Sequence, residues 1–270
     1  MARRATAIKQ EKAQNDGLVL LLDAGSSLVG AWEASKSLGK VTVESMSLMG
    51  YDAMAVGRMD LAIGLEAIRQ RQQEAEFPFL SANIVNEESG ELLFDPYVIL
   101  ERRGVRIGII GLSEAQAIQV PLLKIKAKVL DPVEAIRDLA AELREQVHLL
   151  IVLSHLGLDA DMALAQAVPG IDIIIGGNTR QLMPAPQRVG NTIIVQQGYR
   201  GEWMGKLTAS FDAQGVPTEY AEKVITLTDA YADDPELAAL VHKYQELYPR
   251  PTPIPTPTPA GASPASPTPQ

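Results

Sequence analysis

The chain has 270 residues, 46% of them hydrophobic, and a net charge of −9. That suffices for one large α/β domain or two small ones, and the acidic balance excludes a broad electrostatic footprint for DNA or RNA. There is no cysteine, which excludes disulfides, thiolate zinc sites and cysteine nucleophiles.

No apolar run approaches the roughly 20 residues of a membrane span. The start, MARRATAIKQEKAQNDG, is basic, lacks the apolar core of a signal peptide and predicts a helix over Ala2–Gln14. GLVLLLDAG then reads as a buried strand ending in a polar turn. VTVESMSLMGYDAMAVG reads as a helix stopped at Gly50, then a strand at Ala53–Val56. DLAIGLEAIRQRQQEAE is amphipathic through Leu61, Leu65 and Ile68. FPFLSANI is a strand ending in Asn83, and YVILERRGVRIGIIGL is a hairpin turning at Arg103-Gly104. DPVEAIRDLAAELREQ opens with an Asp131 cap, Pro132 and Glu134, a strong helix start. HLLIVLSHLG is a buried strand running into Ser154 and His155, and DADMALAQAVPG is a short helix. IDIIIGG and NTIIVQQG are buried strands; MGKLTASFD and YAEKVITLT alternate and read as half-exposed strands. DDPELAALVHKYQELY is a closing helix. Alternating strands and helices followed by a β-rich end predict an α/β sandwich, one domain over residues 1–248. Residues 249–270 hold half of the 18 prolines. Proline fixes φ and removes amide donors, so this tail is expected to be a disordered, extended spacer.

The turn after IDIIIGG presents Asn178, Thr179 and Arg180, an odd set for the end of a buried strand. Such ends are where α/β proteins deliver functional side chains. LLLDAGSSLVG, LMGYDAMAVG, FPFLSANI, LIVLSHLGLDADMALAQAVPGIDIIIGG and TIIVQQGYRGEWMGKL occur in this order. In sequence and order they resemble the calcineurin-like metallophosphoesterases, specifically the catalytic domain of the bacterial 5′-nucleotidases. The resemblance implies a four-layer sandwich of two β-sheets flanked by helices. It also implies two metal ions at the carboxyl ends of the central strands, activating water for attack on phosphorus.

The family's ligand positions carry other residues here. Its first Asp-x-His motif and strand precede the helix at Ala2–Gln14, so the first strand is missing from this chain. Ser26 stands for the metal-bridging Asp. Arg58, Met59 and Asp60 stand for Asn-His-Glu. Asn178 and Arg180 stand for two histidines, and only His155 is retained. Serine and asparagine are weak neutral ligands, and arginine stays protonated and repels cations. The expectation is a degenerate domain with no dinuclear centre, no catalytic residue and no cofactor, acting in binding or regulation. Its remnant pocket would comprise Asp23, Ser26, Arg58, Asp60, His155, Asn178 and Arg180. Arg58, Arg180 and His155 are candidates to hold a phosphate or nucleotide-like anion, since guanidinium pairs with such anions bidentately. The competing expectation is that Arg58 and Arg180 pair with Asp60 and Asp23 or point to solvent. The enzyme alternative is a residual phosphoesterase using zinc or manganese. His148 and His242 are read as surface residues, Asp23 as a loop brace, and Gln196, Gln197 and Tyr199 as pocket lining. Ser154 adjoins His155 in sequence and no G-x-S-x-G elbow occurs, so serine catalysis is not expected.

The absent first strand would leave a buried sheet edge. Either the protein begins upstream of Met1, where an export signal would also lie, or a partner strand or altered sheet covers the edge. The tail and the family suggest an extracytoplasmic place, without a signal peptide in this chain.

Overall fold

The structure is a computed structural model that describes residues 1–120, 126–212 and 217–251. The proline-rich tail, from residue 252 onward, lies outside the described residues.

In chain order, α1 (Ala2–Ala13) leads to β1 (Leu22–Asp23), α2 (Trp32–Lys36), α3 (Lys40–Met49) and β2 (Ala53–Ala55). Next come α4 (Arg58–Leu61), α5 (Leu65–Glu74), β3 (Phe79–Leu80), β4 (Ile84–Asn86), β5 (Tyr97–Arg102) and β6 (Val105–Ser113). The second half holds β7 (Ala127–Val129), α6 (Pro132–Arg144), β8 (Leu149–His155), α7 (Leu158–Ala167) and β9 (Ile173–Gly176). It closes with β10 (Gln187–Val189), β11 (Thr192–Gln196), β12 (Trp203–Phe211), β13 (Pro217–Thr226) and α8 (Pro235–Leu247).

Local chemistry explains many boundaries. Gly50 ends α3 at φ 72°, a left-handed conformation that costs glycine little. Asp131 caps α6 by accepting from the amides of Val133 and Glu134, with Pro132 in the first turn. Arg103 and Gly104 turn the β5–β6 hairpin with φ of 53° and 78°.

Four layers result. A six-stranded sheet of order β10-β11-β9-β8-β6-β5 faces a three-stranded parallel sheet, β1-β2-β3. Between them pack Ala53, Ala55 and Leu80 from one side and Ile107, Ile109, Ile151 and Ile173 from the other. The outer face of the larger sheet buries Ile110, Leu112, Val152 and Ile174 with Ile136, Ala140 and Leu164 of α6 and α7. The smaller sheet buries Met54 and Phe79 with Val43, Met46, Ile68 and Leu237 of α3, α5 and α8. Gly111 lets the sheets approach, because a Cβ there would strike the backbone of Leu80. Two further pairs, β12–β13 and β4–β7, stand apart from both sheets among the described residues.

Three expectations need correction. The strand predicted from Gly17 is regular only at Leu22–Asp23 and half-buried, because its outer edge has no partner among the described residues. The amphipathic helix is two helices, divided at Gly64 with φ 89°. FPFLSANI is two short strands, β3 and β4, which belong to different sheets.

Candidate functional site

The carboxyl ends of β1, β6, β8 and β9 meet at one end of the sandwich, and their loops build a cleft. The β1 loop is held by Asp60. Its carboxylate accepts from the amides of Ser26 (2.7 Å), Ser27 (2.9 Å), Leu28 (2.9 Å) and Gly57 (2.9 Å). Burial pushes this carboxyl up to about 6, against the pull of the amides that favour its ionised form. Asp23 accepts from the Gly25 amide at 2.8 Å and the Ser27 hydroxyl at 2.7 Å. The loop therefore turns sharply, with Ser26 at φ 59°. Gly57 leaves room for it: a Cβ there would sit 2.8 Å from the His155 ring.

Ser26 and His155 meet across this space. Ser26 Oγ lies 2.9 Å from His155 Nε2, and His155 Nδ1 lies 2.7 Å from the Ala24 carbonyl. A carbonyl only accepts, so Nδ1 carries a proton; in the neutral ring Nε2 then accepts from the Ser26 hydroxyl. The Met59 amide donates to Ser26 Oγ at 3.2 Å. Ser154, beside His155 in sequence, points elsewhere and donates to the buried Asp161.

The Gly176-Gly177 turn follows β9. Asn178 and Arg180 adopt φ of 70° and 58°, and Asn178 Nδ2 donates to the Leu156 carbonyl at 3.2 Å. Thr179 donates to Gln196 Oε1 at 2.7 Å. Arg180 and Arg200 both approach the Tyr199 ring, at 6.0 and 5.3 Å from its centroid. Ser26, Asn178, Arg180 and Arg200 are four of the six non-glycine residues with positive φ among the described residues, so backbone strain concentrates at this site.

Arg58, Arg180, Arg200, Ser26, His155 and Tyr199 line one cleft. Arg58 and Arg180 are exposed, and neither guanidinium forms an ion pair among the described residues. The pairings with Asp60 and Asp23 are not made, because backbone amides and the Ser27 hydroxyl take those carboxylates. Reasoning from sequence missed Glu114 and Arg200. Glu114 is buried just past β6; Oε1 accepts from the Arg58 amide at 3.3 Å and lies 4.0 Å from His155 Nε2. Its Oε2 is buried without a hydrogen-bond partner among the described residues. An acidic residue directly after an apolar strand was the available signal. His148 and His242 are exposed, as expected; His148 lies at the start of β8, at the opposite end of that strand from His155, and His242 lies on α8.

A pair of divalent ions needs several carboxylate and imidazole ligands, one of them bridging. Around Ser26, the described residues offer the His155 imidazole, the Glu114 and Asp23 carboxylates, a hydroxyl, the Asn178 amide and guanidinium groups. Among the described residues no three His, Asp or Glu side chains gather to hold a metal. This donor set does not fit a dinuclear centre.

No family model matches the chain. It is 31% identical over 247 residues to a 5′-nucleotidase of Vibrio cholerae, covering 78% of this chain and 45% of that protein. It is 32% identical over 272 residues to a snake venom 5′-nucleotidase of Gloydius brevicauda, covering 90% of this chain and 45% of that protein. The chain thus spans about half the length of the curated relatives it matches. Among solved structures, a 5′-nucleotidase precursor from Thermus thermophilus superposes with TM-score 0.82 and 27% identity, over 91% of this chain and 53% of that one. The calcineurin-like phosphoesterase YfkN from Bacillus subtilis superposes with TM-score 0.80 at 21% identity, over 92% of this chain and 89% of that one, and shows the fold alone. Four layers, loops converging at the strand ends and relatives of one kind agree: the chain has the fold of the calcineurin-like phosphoesterases, and its sequence relatives are 5′-nucleotidases.

Proposed function

We propose that this domain binds a phosphate-bearing, nucleotide-like anion without a dinuclear metal centre, and serves in binding or regulation. The carrying observation is that Arg58 and Arg180 line the cleft around Ser26 and His155 with no carboxylate partner among the described residues. Guanidinium groups bind phosphate oxygens in pairs of charge-assisted hydrogen bonds. Arg200 adds positive charge over the Tyr199 ring. Glu114 offsets part of this charge, so affinity rests on the arginines acting together. The names of the relatives supply the nucleotide class. They also favour a second reading, a zinc- or manganese-dependent phosphoesterase. An extracytoplasmic setting, by analogy with the venom relatives, and a spacer role for residues 249–270 belong to the same proposal.

Titration calorimetry of the chelator-treated chain with inorganic phosphate and with AMP tests this. Binding is expected, and Arg58→Ala or Arg180→Ala should each weaken it about tenfold. Absence of binding by either anion refutes it. Hydrolysis of an aryl phosphate on adding zinc or manganese would establish the second reading instead.

A further inference from the structure

The serine that faces His155 is not its chain neighbour. Ser154 donates to the buried Asp161, whereas Ser26 places Oγ 2.9 Å from His155 Nε2. A hydroxyl within hydrogen-bond reach of an imidazole, itself oriented by a third group, is the arrangement of a nucleophile and its base. The third group here is the Ala24 carbonyl. It accepts from Nδ1 at 2.7 Å and so leaves the Nε2 lone pair facing the Ser26 hydroxyl.

The backbone presents this hydroxyl deliberately. Ser26 sits at φ 59° in a sharp turn after β1, with Gly25 at φ 95° before it. A strained turn at the end of a strand is one way a fold exposes a serine Oγ. The turn is pinned by Asp60, which accepts from the amides of Ser26, Ser27 and Leu28. Glycines clasp the pair from both sides. A Cβ on Gly57 would strike Ser26 Oγ, and one on Gly177 would sit 2.8 Å from His155 Nδ1.

The nearby charges suit proton transfer. An imidazolium formed at His155 would have Glu114 Oε1 4.0 Å from its Nε2, and a neighbouring carboxylate stabilises that cation. Glu114 is 6% exposed, and its Oε2 is buried without a hydrogen-bond partner among the described residues. The Met59 amide, which donates to Ser26 Oγ at 3.2 Å, favours that oxygen as negative charge grows on it.

We propose that Ser26 is a nucleophile that takes a phosphoryl group from a phosphate ester, with His155 as its base, in a step that needs no metal ion. The Oγ–P bond forms as the bond from phosphorus to the ester oxygen breaks. The Ser26 proton passes to His155 Nε2 and from there to the leaving oxygen, so the products are a phosphoserine and an alcohol. Arg58 and Arg180, which line the same cleft, hold the phosphoryl oxygens. The nucleophile rests on the Ser26–His155 contact; the substrate class rests on the anion reading above.

Labelling of the chelator-treated chain with diisopropyl fluorophosphate tests this. The reagent is uncharged and phosphorylates activated serines with loss of fluoride; peptide mass spectrometry locates the adduct. Ser26 is expected to react at least about 100-fold faster than the exposed Ser89, and His155→Gln to slow it at least about 100-fold. Inorganic phosphate should slow the labelling by occupying the cleft. If Ser26 reacts no faster than Ser89, or equally fast in folded His155→Gln, the proposal is overturned; phosphate binding by calorimetry would then leave the anion reading standing alone. Fast labelling that phosphate does not slow overturns the substrate class and the anion reading together. If His155→Gln fails to fold, the comparison of Ser26 with Ser89 in the parent chain decides.

Discussion

Replacing Asp161 should flatten the pH dependence of stability in the acid range. Asp161 has 0% exposure; one oxygen accepts from the Ser154 hydroxyl and the other is buried without a hydrogen-bond partner among the described residues. Burial pushes its carboxyl from 3.8 up to about 7. The folded state therefore holds a proton that the unfolded chain has already released. Stability from this group is full below the unfolded value, falls as pH rises and levels off above about pH 7. At about 1.36 kcal/mol per unit, the shift sets a ceiling of about 4 kcal/mol. Local relaxation lowers that, so a loss of about 1–3 kcal/mol between about pH 5 and pH 8 is expected. Asp161→Asn cannot titrate. Its amide leaves an unmatched donor at a cost of about 1–3 kcal/mol, but that cost does not vary with pH. Urea unfolding followed by Trp32 and Trp203 fluorescence across this range gives both curves. The difference between the two proteins should shrink as pH rises. Parallel curves would refute the reasoning.

Other substitutions probe the rest of the structure. In Gly177→Ala the new Cβ would sit 2.8 Å from His155 Nδ1 and 3.1 Å from the Ala24 carbonyl. The hydrogen bond between them should break, at about 1–3 kcal/mol, and the nitrogen NMR signals of His155 should lose their fixed-tautomer pattern. Ile110→Ala, in the core under α6, should cost about 2–5 kcal/mol by urea unfolding. Asp60→Ala frees three amides of the Ser26 loop and that of Gly57, so phosphate binding should weaken along with stability, measured by calorimetry and unfolding.

Features set by local chemistry were legible in the sequence. The Asp131 cap, the Gly50 stop and the Arg103-Gly104 turn need only neighbours in the chain, and α3, α6 and the β5–β6 hairpin appear where they were read. The layer order was legible through the resemblance. Long-range pairing was not. Ser26 meets His155 across 129 residues, a contact no spacing rule reports. Asp60 looked like a partner for Arg58, yet its carboxylate holds the Ser26 loop, because buried amides compete for it more strongly than an exposed guanidinium. The expected strand at Gly17–Asp23 failed for the complementary reason. Its apolar pattern is right, but a ladder needs an edge partner, and among the described residues only β2 supplies one.

Whether the cleft holds metal ions separates an anion-binding domain from a two-metal phosphoesterase. Metal content of the chain after dialysis against zinc and manganese, measured by elemental analysis, tests it most directly. The account predicts less than about a tenth of a metal ion per chain, because the guanidinium groups of Arg58 and Arg180 repel cations and the donor set is too poor. About two ions per chain would contradict it and make the protein a two-metal phosphoesterase to be assayed as such.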